Sequence, residues 1–336
     1  MIQDIAPHVY DNHYQEQAFS EDDLAVAAHS GDGGDKIALV QAGESWRFPT
    51  VREILSAARK AGQSPAIEGT YLFSIDGQRY FRMEYREENR PAEAGGETAG
   101  KPEQMHEAGK KNLGELVTDE TFPEGSPGAG ESVSWLTRRQ IREIAPRHVA
   151  FAAVTALALD GWYRDNRFCS RCGKALVRDH AERMLKCPDC GNMVYPRINP
   201  AVIVGVTKGD SLLMTKYAGR NYTRYALVAG FTEIGETVEE TVIREVKEET
   251  GLDVTNVRYY KSQPWPFTDT LLMGFYCDAV PDESIHMDDG ELAVAEWVAR
   301  ERIDEVQENY DDVSLTSEMI KYFRDNPKAF AREEKE

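Results

Sequence analysis

Short runs of apolar, aromatic and β-branched residues, of the length of β-strands, occur among the polar positions in the first third of the chain. The pattern predicts strands at residues 36–41, 70–75 and 79–85. Asp76-Gly77 separates the last two strands, and this dipeptide favours a tight hairpin. Residues 50–61 are predicted to form a short helix. We therefore expect an α+β domain at residues 1–133.

The apolar pattern is lost at residues 87–130, where Gly, Glu, Lys and Pro are frequent. Few of these side chains can pack in a core, so the segment is predicted to be a flexible acidic insertion. Residues 134–166 have a helical pattern that is interrupted near Pro146, and they are predicted to form a helical connector.

Apolar runs of strand length return at residues 201–206 and 212–217, on either side of the turn Lys208-Gly209-Asp210. Helical patterns follow at residues 237–250 and 314–326. These elements predict a last domain at residues 200–330.

The helix predicted at residues 237–250 has recognisable ends. Acidic side chains fill its first turns, and Gly251 supplies a stop at its C-terminus. Val242, Ile243 and Val246 fall on one side of this helix, so we expect all three to anchor it to a core.

Three carboxylates share another face of the same helix. Glu245, Glu248 and Glu249 are three or four positions apart, and their mutual repulsion destabilises the helix. A hard cation such as Mg²⁺ or Mn²⁺ would relieve it, because these ions prefer carboxylate oxygens. Arg244 is expected to pair with a neighbouring Glu and orient it. Taken alone, the three carboxylates favour a solvated acidic helix face, which is the usual meaning of Glu and Lys together.

Cysteines occur in two closely spaced pairs. Cys169 and Cys172 form the first CxxC pair, and Cys187 and Cys190 form the second after fourteen intervening residues. This spacing predicts a closed, structural site for one Zn²⁺ in a zinc ribbon at residues 167–199, with two disulfides or a redox pair as the alternative. Cys277 lies in an apolar run and is expected to be a buried strand residue.

The charge balance restricts the classes of partner. With 58 acidic and 39 basic residues, the chain carries a net charge of −19, which disfavours nonspecific binding to membranes or nucleic acid. An anionic substrate stays compatible with this charge, since a bound divalent metal reverses the local field. The first residues lack a basic stretch followed by an apolar one, so we expect no secretory leader and a cytoplasmic location.

The segment 230–252 reads GFTEIGETVEETVIREVKEETGL and resembles the Nudix box of hydrolases that cleave nucleoside diphosphate derivatives. Residues 262–267 read SQPWPF, and with the cysteine pairs and Tyr195-Pro196 they resemble the NADH pyrophosphatase branch. The resemblance implies an α/β Nudix fold, a mixed β-sheet between helices, preceded by the Cys₄ zinc ribbon and the N-terminal α+β domain. Thr268-Asp269-Thr270 departs from the Pro-x-Ser of that branch.

The resemblance also implies roles for individual residues. Glu245, Glu248, Glu249 and Arg244 are implied to be the catalytic set. The Mg²⁺ or Mn²⁺ ligands are implied to be Glu245, Glu249, Glu291 and the carbonyl oxygen of Ala229. The residues implied to contact substrate are Phe231, Gln263, Pro264, Trp265, Pro266, Phe267, Thr268, Asp269, Thr270, Tyr195, Glu182 and Thr316.

The expected activity is hydrolysis of the pyrophosphate of NAD(H) to nicotinamide mononucleotide and AMP, the reaction of an NAD⁺ diphosphatase. The first alternatives are removal of NAD caps from RNA 5′ ends and hydrolysis of another nucleoside diphosphate derivative. A non-enzymatic alternative is a nucleotide-sensing module that binds through its zinc ribbon. The resemblance also implies a homodimer.

Overall fold

The computed structural model describes residues 1–31, 34–60, 67–86, 110–115, 131–219, 224–287, 290–307 and 310–330. The chain divides into two compact units, one formed by Asp4–Arg197 and the other by Met1–Gln3 together with Ile198–Glu336. The finer domain boundaries expected at residues 133/134 and 166/167 stay predictions.

The unit Asp4–Arg197 is built from short strands and helices. Its strands are β1 (Tyr10–Asp11), β2 (Leu24–Val26), β3 (Ala28–Gly31), β4 (Gly34–Ala42), β5 (Ser45–Arg47), β6 (Ile67–Ile75), β7 (Gln78–Arg86), β8 (Lys110–Asn112), β9 (Glu131–Thr137), β10 (Val177–Arg178), β11 (Leu185–Lys186) and β12 (Met193–Val194). Its helices are α1 (Val51–Lys60), α2 (Arg138–Ile141) and α3 (Arg147–Asp165).

These strands form separate sheets. One sheet has the order β1-β6-β7-β2 with β8 beside β7, and another has the order β3-β4-β5 with β9 beside β4. Strands β10, β11 and β12 form the small sheet of the cysteine-rich segment. Apolar residues of α1 and of both larger sheets share one core, in which Ile54, Phe81 and Leu113 are fully buried.

The hairpin predicted between β6 and β7 is confirmed. Asp76 and Gly77 both have positive φ, 52° and 78°. A type I′ turn, whose twist matches that of the flanking strands, requires positive φ at both central residues. The predicted helix at residues 50–61 is confirmed as α1.

The connector prediction is wrong at its start. Residues 134–137 belong to β9, whose backbone pairs with β4 from Ala42 to Lys36. Thr137 caps α2 through a reciprocal bond pair with Gln140, so the helix cannot begin earlier. The pairing partner lies almost a hundred residues away, which a local pattern does not reveal.

The predicted flexible insertion also contains structure. Lys110–Asn112 forms β8, and the single-turn helix Leu113–Glu115 follows it. Leu113 is fully buried in the core, and Asn112 caps nearby backbone amides, which explains why this stretch is fixed. Residues 87–109 and 116–130 of the predicted insertion lie outside the described residues.

The other unit is an α/β layer structure. Its strands are β13 (Asn199–Lys208), β14 (Ser211–Tyr217), β15 (Val228–Phe231), β16 (Val254–Trp265), β17 (Thr270–Ala279) and β18 (Leu292–Ala299). Its helices are α4 (Val238–Thr250), α5 (Ile303–Val306) and α6 (Leu315–Asp325). The sheet has the order β16-β17-β13-β14-β18, with β15 paired to β13, and it is mixed because β13 and β17 are parallel.

Alternate residues of β13 point to opposite faces of this sheet. Val202 packs in the core under α4, whereas Ile203 packs in the core under α6. The sheet is therefore covered by helices on both sides. The predicted hairpin at Lys208-Gly209-Asp210 and the predicted C-terminal helix are both confirmed.

Helix α4 has the ends that the sequence predicts. Thr237 and Glu240 form a capping box, and Gly251 ends the helix with φ of 72°. Val242 and Val246 are fully buried, but Ile243 is 44% exposed, so the expectation that Ile243 anchors the helix is wrong. The buried stripe is narrower because the neighbouring face carries the acidic side chains.

The first three residues of the chain belong to this unit. The amide of Ile2 donates to the carbonyl of Val313 at 3.0 Å, and the Ile2 side chain is fully buried. The side chain of Gln3 accepts a hydrogen bond from Gln263 at 3.0 Å. In the described parts of the chain, no helix is long and apolar enough to cross a membrane.

Candidate functional site

Arg244 is at the centre of an ionic network on α4. Its Nη1 atom lies 2.8 Å from Glu245 Oε1 and 3.0 Å from Glu248 Oε2, so one guanidinium group holds both carboxylates. The prediction that Arg244 pairs with a neighbouring Glu is therefore confirmed. Its Nη2 atom also donates to the carbonyl of Phe231 at 2.9 Å, which ties the helix to β15.

Glu236 fixes the other side of Arg244. Arg244 donates to both of its carboxylate oxygens, at 2.7 and 2.9 Å. These bonds, together with the amide of Glu233, lower the pKa of Glu236 to about 2. The bonds to Glu236 and to the carbonyl of Phe231 thus fix the orientation in which the guanidinium contacts Glu245.

Thr241 extends this network and was not predicted from the sequence. Its hydroxyl is fully buried and donates to Glu236 Oε2 at 2.9 Å, and it lies 3.2 Å from the hydroxyl of Thr232. The signal was available, because Thr241 lies one turn before Arg244 and Glu245 and a buried hydroxyl in a helix needs a partner.

Gly230 is required by the position of Glu245. A Cβ atom added to Gly230 would lie 1.9 Å from the Glu245 carboxyl carbon, so any side chain would displace that carboxylate. Glu245 therefore lies directly against the backbone of β15, next to Ala229. The prediction that the carbonyl oxygen of Ala229 binds the divalent metal stays a prediction.

The surroundings of Glu245 disfavour its ionised form. Burial raises its pKa, and the charges of Glu248 and Glu291 act in the same direction, while Arg244 opposes them. Glu291 is thus close enough for its charge to act on Glu245, and its role as a metal ligand stays a prediction. Glu249 is only 5% exposed, and Glu248 is open to solvent.

A divalent cation fits this donor set because it would offset the charge of partly buried carboxylates. The ligand atoms of the carboxylates lie farther from one another than the sulfur atoms of the cysteines. Among the described residues, the cysteines alone form a group of His, Cys, Asp or Glu with all ligand atoms within 4.8 Å of one another.

The first four residues of the segment SQPWPF form the end of β16, and Pro266 and Phe267 lie in the turn that follows. Gln263 is fully buried, and its Nε2 atom donates to the carbonyl of Val313 at 2.8 Å while its Oε1 atom accepts from the amide of Leu315 at 2.7 Å. Its side chain therefore holds the start of α6, and the substrate contact that the resemblance implies stays a prediction. Thr316 follows in the first turn of α6 and is half-buried.

The aromatic pair of this segment lies at the turn into β17. The rings of Trp265 and Phe267 are 4.6 Å apart and tilted by 50°. The amide of Thr268 donates to the carbonyl of Trp265 at 3.2 Å, a bond that a proline at this position could not make. The hydroxyls of Thr268 and Thr270 lie 2.9 Å apart, so the departure from Pro-x-Ser is built into the turn.

Other predicted contacts lie in separate places. Phe231 is 55% exposed at the end of β15, beside the Arg244 network. In the Asp4–Arg197 unit, the hydroxyl of Tyr195 donates to Glu182 at 2.7 Å, so these two predicted residues are brought together.

The four cysteines converge in the Asp4–Arg197 unit. The Sγ atoms of Cys169 and Cys190 are 3.6 Å apart, and those of Cys172 and Cys187 are 3.4 Å apart. Tetrahedral zinc with bonds of about 2.3 Å places sulfurs about 3.8 Å apart, whereas a disulfide requires about 2.05 Å. The geometry therefore fits a zinc site. Cys277 is fully buried in β17, as expected.

Each CxxC pair is shaped by its own backbone. The amide of Gly173 donates to the carbonyl of Cys169, and the amide of Gly191 donates to that of Cys187. Both glycines have positive φ, 73° and 71°, which closes each loop around its two sulfurs.

Comparison with known proteins gives two family matches. Residues 197–318 match a family model described as the NUDIX domain, and residues 164–195 match one described as the NADH pyrophosphatase zinc ribbon domain. The fold class and the order of these two domains agree with the sequence prediction.

Two similar proteins have the same name. "NAD-capped RNA hydrolase NudC" of Pseudomonas aeruginosa (strain LESB58) is 43% identical over 136 residues, covering 40% of this chain and 49% of the relative. The protein of that name from Klebsiella pneumoniae (strain 342) is 36% identical over 178 residues, covering 50% of this chain and 68% of the relative. The chain thus spans about half the length of most of the curated relatives it matches.

Among solved structures, a NUDIX hydrolase from Nitrosomonas europaea is similar with a TM-score of 0.40 and 22% identity, covering 47% of this chain and 90% of that one.

Proposed function

Because the chain belongs to the Nudix family, in the branch with the NADH pyrophosphatase zinc ribbon, we propose that it is a metal-dependent pyrophosphohydrolase. Its favoured substrate is NAD(H), which it cleaves to nicotinamide mononucleotide and AMP. The observation that supports this best is the half-buried Glu245, held against Gly230 by Arg244. A carboxylate whose pKa is raised by burial and by two further carboxylates is suited to binding a cation.

Glu245, Glu249, Glu291 and the carbonyl oxygen of Ala229 would hold Mg²⁺ or Mn²⁺. The ion supplies charge neutralisation at the phosphoryl oxygens and lowers the pKa of a bound water. Arg244 keeps Glu245 and Glu248 in place, so the acidic face does not have to reorganise during the reaction. Glu248 is exposed and adjacent, so it is one candidate for the general base.

Trp265 and Phe267 would form the apolar wall of the substrate pocket, because their rigid tilted pair offers a surface on which a nicotinamide or adenine ring can stack. Phe231 is an exposed ring beside the carboxylate face and would contact the other base. Gln263 supports this wall indirectly by fixing β16 to α6.

The second candidate is removal of NAD caps from RNA 5′ ends. The relatives that match at 36–43% identity are named NAD-capped RNA hydrolases, which favours this reading. The same bond is cleaved in both reactions. The chain's net charge of −19 disfavours long contacts with an RNA backbone, so we rank free NAD(H) first.

A homodimer and a cytoplasmic location complete the proposal, both from the family resemblance and composition. Light scattering coupled to size-exclusion chromatography measures the first, and a mass of one chain would reject it.

The main test is a substrate panel of NADH, NAD⁺, ADP-ribose and RNA carrying a 5′ NAD cap, with Mg²⁺ or Mn²⁺ and with products identified by mass. We expect nicotinamide mononucleotide and AMP from NADH, and no turnover when the divalent metal is chelated. Tight nucleotide binding without turnover under every metal condition would instead support the sensing module.

The aromatic wall is tested by Trp265→Ala. Removal of a stacking partner should raise the KM for NADH several-fold while turnover of a small pyrophosphate ester changes little. Tyr259→Ala is the matched control, because this ring is 60% exposed on the same strand. Equal losses for both substrates would mean that Trp265 supports the fold alone.

A further inference from the structure

A small cavity lies within the Asp4–Arg197 unit, and no cysteine lines it. Its volume is about 180 Å³, and the cationic side chains of Arg82, Arg164 and Arg167 line it together with His29. Small-molecule sites usually measure about 300–1,000 Å³, so this cavity suits a compact ion better than a nucleotide.

The floor of the cavity is electrically balanced. Arg82 Nε lies 2.6 Å from Asp160 Oδ1, and Asn112 Nδ2 donates to the same oxygen at 2.8 Å. Arg82 also pairs with Glu84. All four of these side chains are at least 95% buried, so the floor is rigid and polar.

Two further arginines lie at the rim. Arg164 is paired there, because its Nη1 atom lies 2.8 Å from Asp35 Oδ1 and its Nε atom lies 3.0 Å from Asp165 Oδ1. Arg167 is half-buried, and within the described part of the chain its side chain has no ion pair or hydrogen bond. The ring of His29 packs edge-on against Trp135 at 4.9 Å and lies on the same cavity. The exposed carboxylate of Glu115 also lines the opening, where solvent screens its charge.

A half-buried guanidinium that has neither an ion pair nor a hydrogen bond among the described residues is costly. A cavity that borders such a group and is too small for an organic cofactor is suited to an exchangeable anion. Planar guanidinium groups favour oxyanions, to which they donate in pairs.

We propose that this cavity is a binding site for a small tetrahedral oxyanion of the phosphate class, held by Arg167 and Arg164 with His29. The ion bridges β3, which carries His29, to the end of α3 and the segment after it. Binding therefore stabilises the Asp4–Arg197 unit. The inference stands independently of the proposed hydrolysis, since none of these residues belongs to the carboxylate face.

Isothermal titration of the full chain with inorganic phosphate, at constant ionic strength and without added divalent metal, tests the proposal. We expect saturable binding that Arg167→Gln weakens by about tenfold or more, because a hydrogen bond to a charged group is lost. Arg167→Lys should lose less, since it keeps the charge. Arg59→Gln is the matched control, because Arg59 is an exposed arginine of α1 outside the cavity.

Thermal unfolding provides the second readout. Phosphate raises the Tm of many proteins nonspecifically, so the relevant quantity is the difference between variants. The rise in Tm should be smaller in Arg167→Gln than in wild type or Arg59→Gln. Sulfate should bind in competition with phosphate, whereas AMP, which the carboxylate site would bind as a product, should not displace phosphate. Equal phosphate affinity in all variants, or displacement of phosphate by AMP, would overturn the assignment.

Discussion

The cysteine site and the carboxylate site are built on different principles. In the cysteine site, two short backbone loops bring four sulfurs within 4.8 Å of one another. In the carboxylate site, a helix presents the acidic groups and one guanidinium holds two of them. The first arrangement is closed and suits a permanent structural ion. The second stays open on the side of Glu248, as a site that must admit substrate and water requires.

The two sites also differ in how they relate to stability. Metal binding to the cysteines contributes directly to folding free energy. The carboxylate face has the opposite character, because burial and like charges disfavour the ionised form of Glu245. Damage to the first site should therefore appear mainly in stability, and damage to the second mainly in turnover.

Glu249→Gln should produce the largest loss of activity. The change keeps shape but removes a ligand charge, so turnover should fall by roughly two orders of magnitude or more. Steady-state kinetics at saturating Mg²⁺ measures this, with Tm expected to stay near the wild-type value. Glu239→Gln, an exposed position on the same helix, is the control. Near-normal turnover in the Glu249 variant would remove the carboxylate face from the mechanism.

Cys187→Ser should give the converse result. The zinc content, measured by metal analysis, should fall from about one zinc per chain to well below that value. The free energy of unfolding of the Asp4–Arg197 unit should fall by on the order of several kcal/mol. Cys277→Ser should keep its zinc, because Cys277 lies outside the cluster. Full zinc content in the Cys187 variant, or disulfides in the wild type, would contradict the contrast between the two sites.

Glu236→Gln tests the ionic frame of the carboxylate site through its pH dependence. The pKa of Glu236 is lowered to about 2 by Arg244, so its ionised form stabilises the folded state above the ordinary value of 4.5. This contribution is lost as pH falls from about 4.5 towards about 2. Hydrogen exchange of α4 should therefore be faster in the variant at neutral pH, and the difference should shrink over that acidic window. If the difference in exchange rate between variant and wild type stays constant over this pH range, it comes from altered packing and not from the charge of Glu236.

Thr241→Val should have the smallest effect. The variant keeps the shape of the side chain but loses the hydroxyl that donates to Glu236, so turnover should fall about threefold to tenfold with little change in KM. Thr241→Ser should restore most of the activity. Valine and serine variants with identical kinetics would show that the hydroxyl does not position the network.

Local signals predicted the parts of the molecule that local chemistry fixes. The ends of α4 follow from Thr237 and Gly251, the hairpin follows from Asp76-Gly77, and the cysteine spacing predicted the ribbon. Each depends on residues that lie close together in the sequence.

Distant partners explain what the sequence did not reveal. Strand β9 exists because β4 pairs with it across the sequence, so its residues looked like part of a helix. The hydrogen bonds of the Gln263 amide group with residues 313 and 315 likewise join parts of the chain that are far apart in the sequence. Burial of Leu113 likewise depends on a core assembled from other strands.

The hydrogen bond between Ile2 and Val313 has a consequence for how the protein is made. The ribosome synthesises Ile2 long before it synthesises Val313. At roughly 5–20 residues per second, about 15–60 s separate the two. The Asp4–Arg197 unit can fold during that interval, whereas the other unit must wait until the segment around Val313 has been synthesised. The apolar side chain of Ile2 is therefore exposed to chaperones throughout that interval.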